Sequence, residues 1–295
     1  MRGQWSQMAL GIACVAAIVW AYWTTLGDIA DRWASDPQYS HGYLVPAFAG
    51  VLLWHRRSRF PKASAAARRI GWLWLVLLGA GMAVRAASVK IFLGWLDGLS
   101  LIICLTGVVA AAGGWPLLRC AWPAIVFLIF MIPLPFRVQN ALGSSLQSIA
   151  TEASTYALQT VGVPAVAEGN IILLTETRIG VVEACSGLGM LMTFAAMATG
   201  VAMWVPRSWF EKTLIILSAI PVAVAVNVVR ITVTGVLNEA SQDRLARIVF
   251  HDVAGWLMMP LALAILFFEL HVLGRAIVAR PGSRSGRSGF VGSTL

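Results

Sequence analysis

Between Lys212 and Leu237 the chain reads KTLIILSAIPVAVAVNVVRITVTGVL, and its only charges are Lys212 at the start and Arg230 near the end. A helix of roughly 17–25 mostly apolar residues crosses a hydrocarbon core, and this run qualifies. Met8–Leu26, Gly42–Trp54, Gly71–Ala87, Ile91–Ala112, Pro116–Ile132, Cys185–Trp204 and Val253–Leu273 share its character. The reading is an all-α polytopic membrane protein with about eight transmembrane helices. Composition agrees. Of 295 residues, 59% are hydrophobic and only 12% charged, with mean hydropathy +0.78. A soluble domain cannot bury so much apolar surface.

Residues 1–280 read as one membrane-embedded domain. Residues 281–295 are rich in Gly, Ser and Arg and read as a disordered, basic cytoplasmic tail. The first run lacks a clear small-residue cleavage site and reads as a retained helix. Gly42–Trp54 is the weakest span, because it is short. Residues from Pro37 onward would have to extend it, with Arg56 snorkelling at its end.

The formal charge is +9. Basic residues gather at Arg56, Arg57, Arg59, Lys62, Arg68 and Arg69, and again at Arg275, Arg280, Arg284 and Arg287. Both clusters flank apolar runs, as cytoplasmic loops do. That points to membrane lipid as the partner of the positive charge and argues against nucleic acid. Both termini then lie in the cytoplasm. Asp28–Asp36, Pro133–Ala184 and Asn238–Asp252 lie outside, where Arg85 and Lys90 run against the trend.

The segment 133–184 is the longest stretch outside the spans. Val138, Leu142, Leu146, Ile149, Ala153, Ala157 and Val161 recur every three or four residues, with polar residues opposite. This predicts an amphipathic helix over Val138–Val161, lying at the interface. Gly162 and Pro164 end it. Ala165–Ala167 and Ile171–Thr175 flank Glu168-Gly169-Asn170 and predict a small β-hairpin on the outer face.

Cys185 opens the sixth span at its outer end. Arg230 lies about 27 Å into the seventh, near that same face. His251 immediately precedes the eighth, which starts outside. Topology thus brings a thiol, a guanidinium and an imidazole to one depth. A helix start favours a thiolate, whereas Cys14, Cys104 and Cys120 read as small hydrophobes. Gly187 and Gly189 allow close backbone approach by a substrate. Ser186 is a competing nucleophile, but Ala184 and Leu188 occupy the glycine positions of a Gly-x-Ser-x-Gly elbow. Asn227 shares a helix face with Arg230. The arginine can snorkel to headgroups, steady a thiolate, grip a carbonyl or stabilise an oxyanion. Beside a thiol, His251 can move protons. Glu183 can bind substrate, or raise the thiol pKa and work against activation. His41 is a substrate contact or a helix-end residue. With one cysteine here and no paired histidines, the pattern argues against a metal, and no cofactor is expected.

These residues, in this order, resemble the exosortase/archaeosortase family of membrane transpeptidases. The resemblance rests on Ala184-Cys185-Ser186-Gly187-Leu188, then Asn227-x-x-Arg230, then His251. Tyr39-Ser40-His41-Gly42-Tyr43-Leu44-Val45-Pro46 and Ile132-Pro133-Leu134-Pro135-Phe136 look like further family motifs. It implies that Cys185 is the nucleophile, Arg230 stabilises anionic charge and His251 shuttles protons. The implied substrates are exported proteins ending in a Pro-Glu-Pro-type motif, a transmembrane helix and a basic end. The implied location is a bacterial inner membrane, with the active site facing the periplasm. The competing reading is a non-enzymatic transporter or scaffold linked to exopolysaccharide export. A transporter would show repeated halves or midplane polar sites, which the sequence lacks.

Overall fold

The computed structural model describes residues 13, 16–60, 72–175, 177–181, 187–240, 263–265, 267–269 and 271. Its elements are α1 (Trp23–Ser35), a 3-10 segment (Pro37–Tyr43), α2 (Leu44–His55), α3 (Leu73–Ile91) and α4 (Gly94–Phe127). A short 3-10 turn (Leu128–Met131) leads to α5 (Phe136–Thr160). Strands β1 (Val166–Glu168), β2 (Ile171–Leu173) and β3 (Arg178–Gly180) follow, then α6 (Leu188–Trp204) and α7 (Trp209–Glu239). The protein is an all-α membrane protein with one small sheet.

Among the described residues, three stretches, Leu73–Ile91, Gly94–Met131 and Trp209–Glu239, are long and apolar enough to cross a membrane; Leu188–Trp204 is a shorter apolar helix. Only 11% of the Leu73–Ile91 window is buried inside the protein, as suits a helix bathed in lipid. Exposed tryptophans sit at helix ends, among them Trp54, Trp72 and Trp209, where amphipathic rings meet headgroups.

The sequence placed two spans at Ile91–Ala112 and Pro116–Ile132. Both fall within α4 and the turn after it, which break at Gly114 (φ 66°, ψ −162°). A β-carbon on Gly98 would lie 3.0 Å from Ile132 Cγ1. A straight helix would separate these residues by about 50 Å, so the limbs fold back on each other. The expected span at Gly42–Trp54 differs more. Its helix, α2, is only about 18 Å long, and the extension from Pro37 is a 3-10 segment. Residues 8–12, 14 and 15 of the first expected span, most of Val253–Leu273, and residues 281–295 lie outside the described residues.

Helix α3 packs antiparallel to the first limb of α4. Gly81 faces Cys104 and Gly107 faces Leu78, so the backbones approach closely, as small residues permit in membranes. Polar groups join the same helices. Thr25 donates to the Asp97 carboxylate, and Arg85 Nε stands 3.6 Å from it. The Arg85 guanidinium lies 4.2 Å above the Tyr22 ring. Ser100 donates to the Tyr22 hydroxyl (3.0 Å), which donates to Cys104 Sγ (3.3 Å). Arg85, which ran against the charge trend, therefore has a carboxylate partner.

Helix α7 begins at a capping box: Glu211 N–H donates to Ser208 Oγ, and Ser208 N–H donates to Glu211 Oε2. It packs along α6. The predicted amphipathic helix is α5, but the face it buries is small and hydroxyl-rich: Ala150, Thr151, Ser154, Thr155 and Leu158. Its apolar stripe, including Val138, Leu142 and Ile149, is exposed. The Glu168-Gly169-Asn170 turn joins β1 to β2 in antiparallel register, with Ala167 opposite Ile172. β3 then pairs with β2, Ile172 opposite Ile179. Ile172 and Ile179 pack with Leu158 and Ile231, seating the sheet on α5 and the far end of α7.

The helix contact at Gly81 is testable. A methyl there would strike Cys104 Sγ and lie 3.2 Å from the Cys104 backbone nitrogen, whereas Gly79 has nothing within 4 Å. Gly81→Ala is expected to destabilise the detergent-solubilised protein by about 1–3 kcal/mol. Gly79→Ala should leave the thermal midpoint at or above that of wild type.

Candidate functional site

The motif at residues 39–46 and the one at 132–136 meet in space. Asp36 starts the 3-10 segment by accepting from Gln38 N–H at 3.0 Å, with Pro37 following. Tyr39 is then turned inward and is 2% exposed. Its hydroxyl accepts from Leu134 N–H (3.2 Å) and donates to Gln139 Oε1 (3.2 Å). One phenol thus links the 3-10 segment, the Pro133–Pro135 turn and α5. Trp33 Nε1 donates to the Met131 carbonyl at 3.0 Å. Gly42 lies flat against that indole, with no room for a side chain.

The other two motifs meet as well. Gly187 caps α6 in the left-handed region at φ 83°, where glycine carries no Cβ penalty. A β-carbon there would lie 3.1 Å from Asn227 Nδ2. Asn227, on α7, is 1% exposed. Arg230 is one helical turn further along α7, half-buried. Gly189 abuts the Gln38 backbone, with 3.0 Å from a β-carbon to Cα. The sequence reading gave Gly187 and Gly189 to an approaching substrate. In the structure the protein itself fills both positions.

Helix α5 closes one side of this region. Gln147 donates to the Val181 carbonyl and accepts from Asn170 Nδ2 at 2.9 Å. One amide therefore ties α5 to the β1–β2 turn and to the strand exit that leads toward Cys185. A cavity of about 200 Å³ opens between α5, the 3-10 segment and α6. Gln38, Gln139, Asn140, Ser144, Gln147 and Leu188 line it.

A second cavity, of about 250 Å³, lies between α2, α4 and α6. Phe48, Phe127, Ala196 and Met197 make it apolar, and His41 stands at its edge. His41 is 3% exposed. The Gln38 and Phe130 carbonyls lie beside the ring, but neither nitrogen reaches hydrogen-bond geometry with a described residue. Burial holds the imidazole below its ordinary 6.5, and the two carbonyls offset that only in part.

Of the residues singled out from sequence, His41, Asn227 and Arg230 are described. Cys185, Glu183, Ser186 and His251 lie outside the described residues. Helix α6 connects what is seen: Gly187 touches Asn227, Gly189 touches Gln38, and Thr193 shares the apolar cavity with His41. The sequence reading did not single out Gln38, Tyr39, Gln139, Asn140 or Gln147 as site residues. A signal was present for α5. Asn140, Ser144, Gln147 and Thr151 recur at helical spacing, but an amphipathic helix is ordinarily read with such a face in solvent.

The model of the transmembrane exosortase family matches residues 33–268. The match spans most of the chain and includes all the motifs above, so the chain belongs to the transmembrane exosortase family. Comparisons with curated proteins and with solved structures found no match.

Two measurements check this geometry. Gly187→Ala puts a side chain at φ 83° against Asn227. It should lower the thermal midpoint by the equivalent of ~1–2 kcal/mol. His41 gives a pH dependence. Its native pKa lies below the unfolded value, so the unfolded chain binds the proton first as pH falls. The associated stability is complete above about 6.5 and declines below it. The thermal midpoint should therefore fall more steeply between pH 7 and pH 5 in wild type than in His41→Gln.

Proposed function

We propose that this exosortase is a cysteine transpeptidase or protease that cuts the C-terminal sorting signal of exported proteins. The observation that carries the reading is the contact between Gly187 and Asn227. It brings Gly187, within the Ala184–Leu188 motif, against Asn227, which opens the Asn227-x-x-Arg230 motif. The family match supports the class of reaction.

In the proposed reaction, Cys185 Sγ attacks the scissile carbonyl and a C–S bond forms. Arg230 stabilises the oxyanion of the tetrahedral intermediate. His251 takes the thiol proton and delivers it to the departing amine as the C–N bond breaks. The product is a thioester to the N-terminal part of the substrate. An acceptor amine, or water, then attacks the thioester and restores the thiol. Glu183, Ser186, Asn227 and His41 are assigned to the substrate side of the site. In this proposal the membrane is a bacterial inner membrane, crossed about eight times. Both termini are cytoplasmic. The site and the small sheet face the periplasm, and residues 1–280 form one domain.

The test co-expresses the protein with a reporter carrying a sorting signal from the same genome. Wild type should shorten the reporter on a blot, and Cys185→Ala and Cys185→Ser should not. Arg230→Ala should slow processing by about 10²–10³-fold, as loss of an oxyanion donor does elsewhere. Normal processing by Cys185→Ala would eliminate the thioester route and leave a scaffold role.

A further inference from the structure

The amide-lined cavity between α5, the 3-10 segment and Leu188 has no part in the chemistry above. It sits at the first turn of α6, three residues after Cys185 in the chain. Among the described residues its lining carries no charged group and no aromatic ring. Gln38, Gln139, Asn140 and Gln147 are amides, each with both donors and acceptors. Two of them already have structural work. Gln139 Oε1 accepts from Tyr39, and Gln147 is clasped between Val181 and Asn170. Gln38 differs: its Oε1 is buried and has no hydrogen-bond partner among the described residues. A buried acceptor without a donor costs free energy unless a ligand supplies one.

We infer that this cavity binds the main chain of an extended, uncharged peptide segment, with Gln38 accepting one of its N–H groups. A peptide unit presents one donor and one acceptor, which neutral amides match on both counts. A phosphate or carboxylate would need a positive charge, and the described lining has none. A sugar ring would ordinarily find an aromatic face to lie on, and that is absent too. The inference rests on the transpeptidase reading, because it makes this segment the substrate chain next to the cut. It also separates two tasks. The cavity holds backbone and tolerates sequence, so selection of an acidic motif side chain falls to other residues.

Gly143 provides a clean way to close the cavity. It lines the space, and a β-carbon there meets nothing within 4 Å. It lies within a helix, where leucine is intrinsically better than glycine. Gly143→Leu should therefore fill the cavity and leave the fold intact, as an unchanged thermal midpoint would confirm. Full-length Cys185→Ala protein in nanodiscs would be titrated with a fluorescent peptide spanning the reporter's motif and the residues before it. Binding should weaken at least tenfold with Gly143→Leu and at least threefold with Gln38→Leu. Equal affinity in all three proteins, or no binding to the parent, would overturn the inference. So would displacement of the peptide by maltoheptaose, which would make the cavity a glycan site. Processing is read separately. If wild type leaves the reporter uncut while peptide binding still depends on Gly143, the subsite stands and the transpeptidase reading falls. If the reporter is cut and binding ignores Gly143, the reverse holds.

Discussion

Close approach of helix backbones is the constraint on which the rest of this structure depends. In lipid, apolar helices gain nothing by hiding from water, because the surroundings are as apolar as their side chains. They associate where atoms can come near. Gly81 against Cys104, Gly107 against Leu78, Gly98 against Ile132 and Gly235 against Leu158 are such places. At the functional end the same device recurs with polar partners: Gly187 against Asn227 and Gly189 against Gln38. Absent side chains thus set the distances at which the remaining side chains act.

The site is assembled mainly by uncharged hydrogen bonds. Tyr39 joins three segments through one hydroxyl, and Gln147 joins three through one amide. Such bonds hold position without adding a strong field. The charge chemistry proposed for this enzyme then falls to the few ionisable groups of the Cys185, Arg230 and His251 set. The apolar cavity is lined in part by His41 and the amide cavity by Gln38, so both border the same 3-10 segment.

Much of the fold was legible because hydrophobic runs report membrane crossings directly. The break at Gly114 was legible too, since Gly113-Gly114-Trp115-Pro116 interrupts an apolar stretch with a flexible residue and a helix breaker. The hairpin could be read from β-branched residues around Glu168-Gly169-Asn170. What could not be read was which face of α5 is buried. Periodicity shows two faces, but whether hydroxyls or aliphatics point inward depends on what they meet, and here the outer neighbour of the aliphatic stripe is not protein. The 3-10 form of residues 37–43 was equally hidden, because it is fixed by the Asp36 cap and by the distant partners of Tyr39. For the site, the sequence brings Cys185, Arg230 and His251 to one depth, whereas the contact of Gly187 with Asn227 comes from the structure alone. The amide lining escaped because it is contributed by two elements far apart in sequence, the 3-10 segment and α5.

The Arg85–Asp97 pair bears on how the chain reaches its membrane in the first place. A lone arginine or aspartate in an inserting helix is costly, most of all near its centre. These two lie on successive helices, separated only by the tight left-handed turn at Phe92. If α3 and α4 leave the insertion machinery together, the charges are already matched, and Thr25 of α1 and Tyr22 just before it are there to receive them. The pair therefore makes a multi-helix bundle, not a single span, the economical unit of biogenesis for this protein.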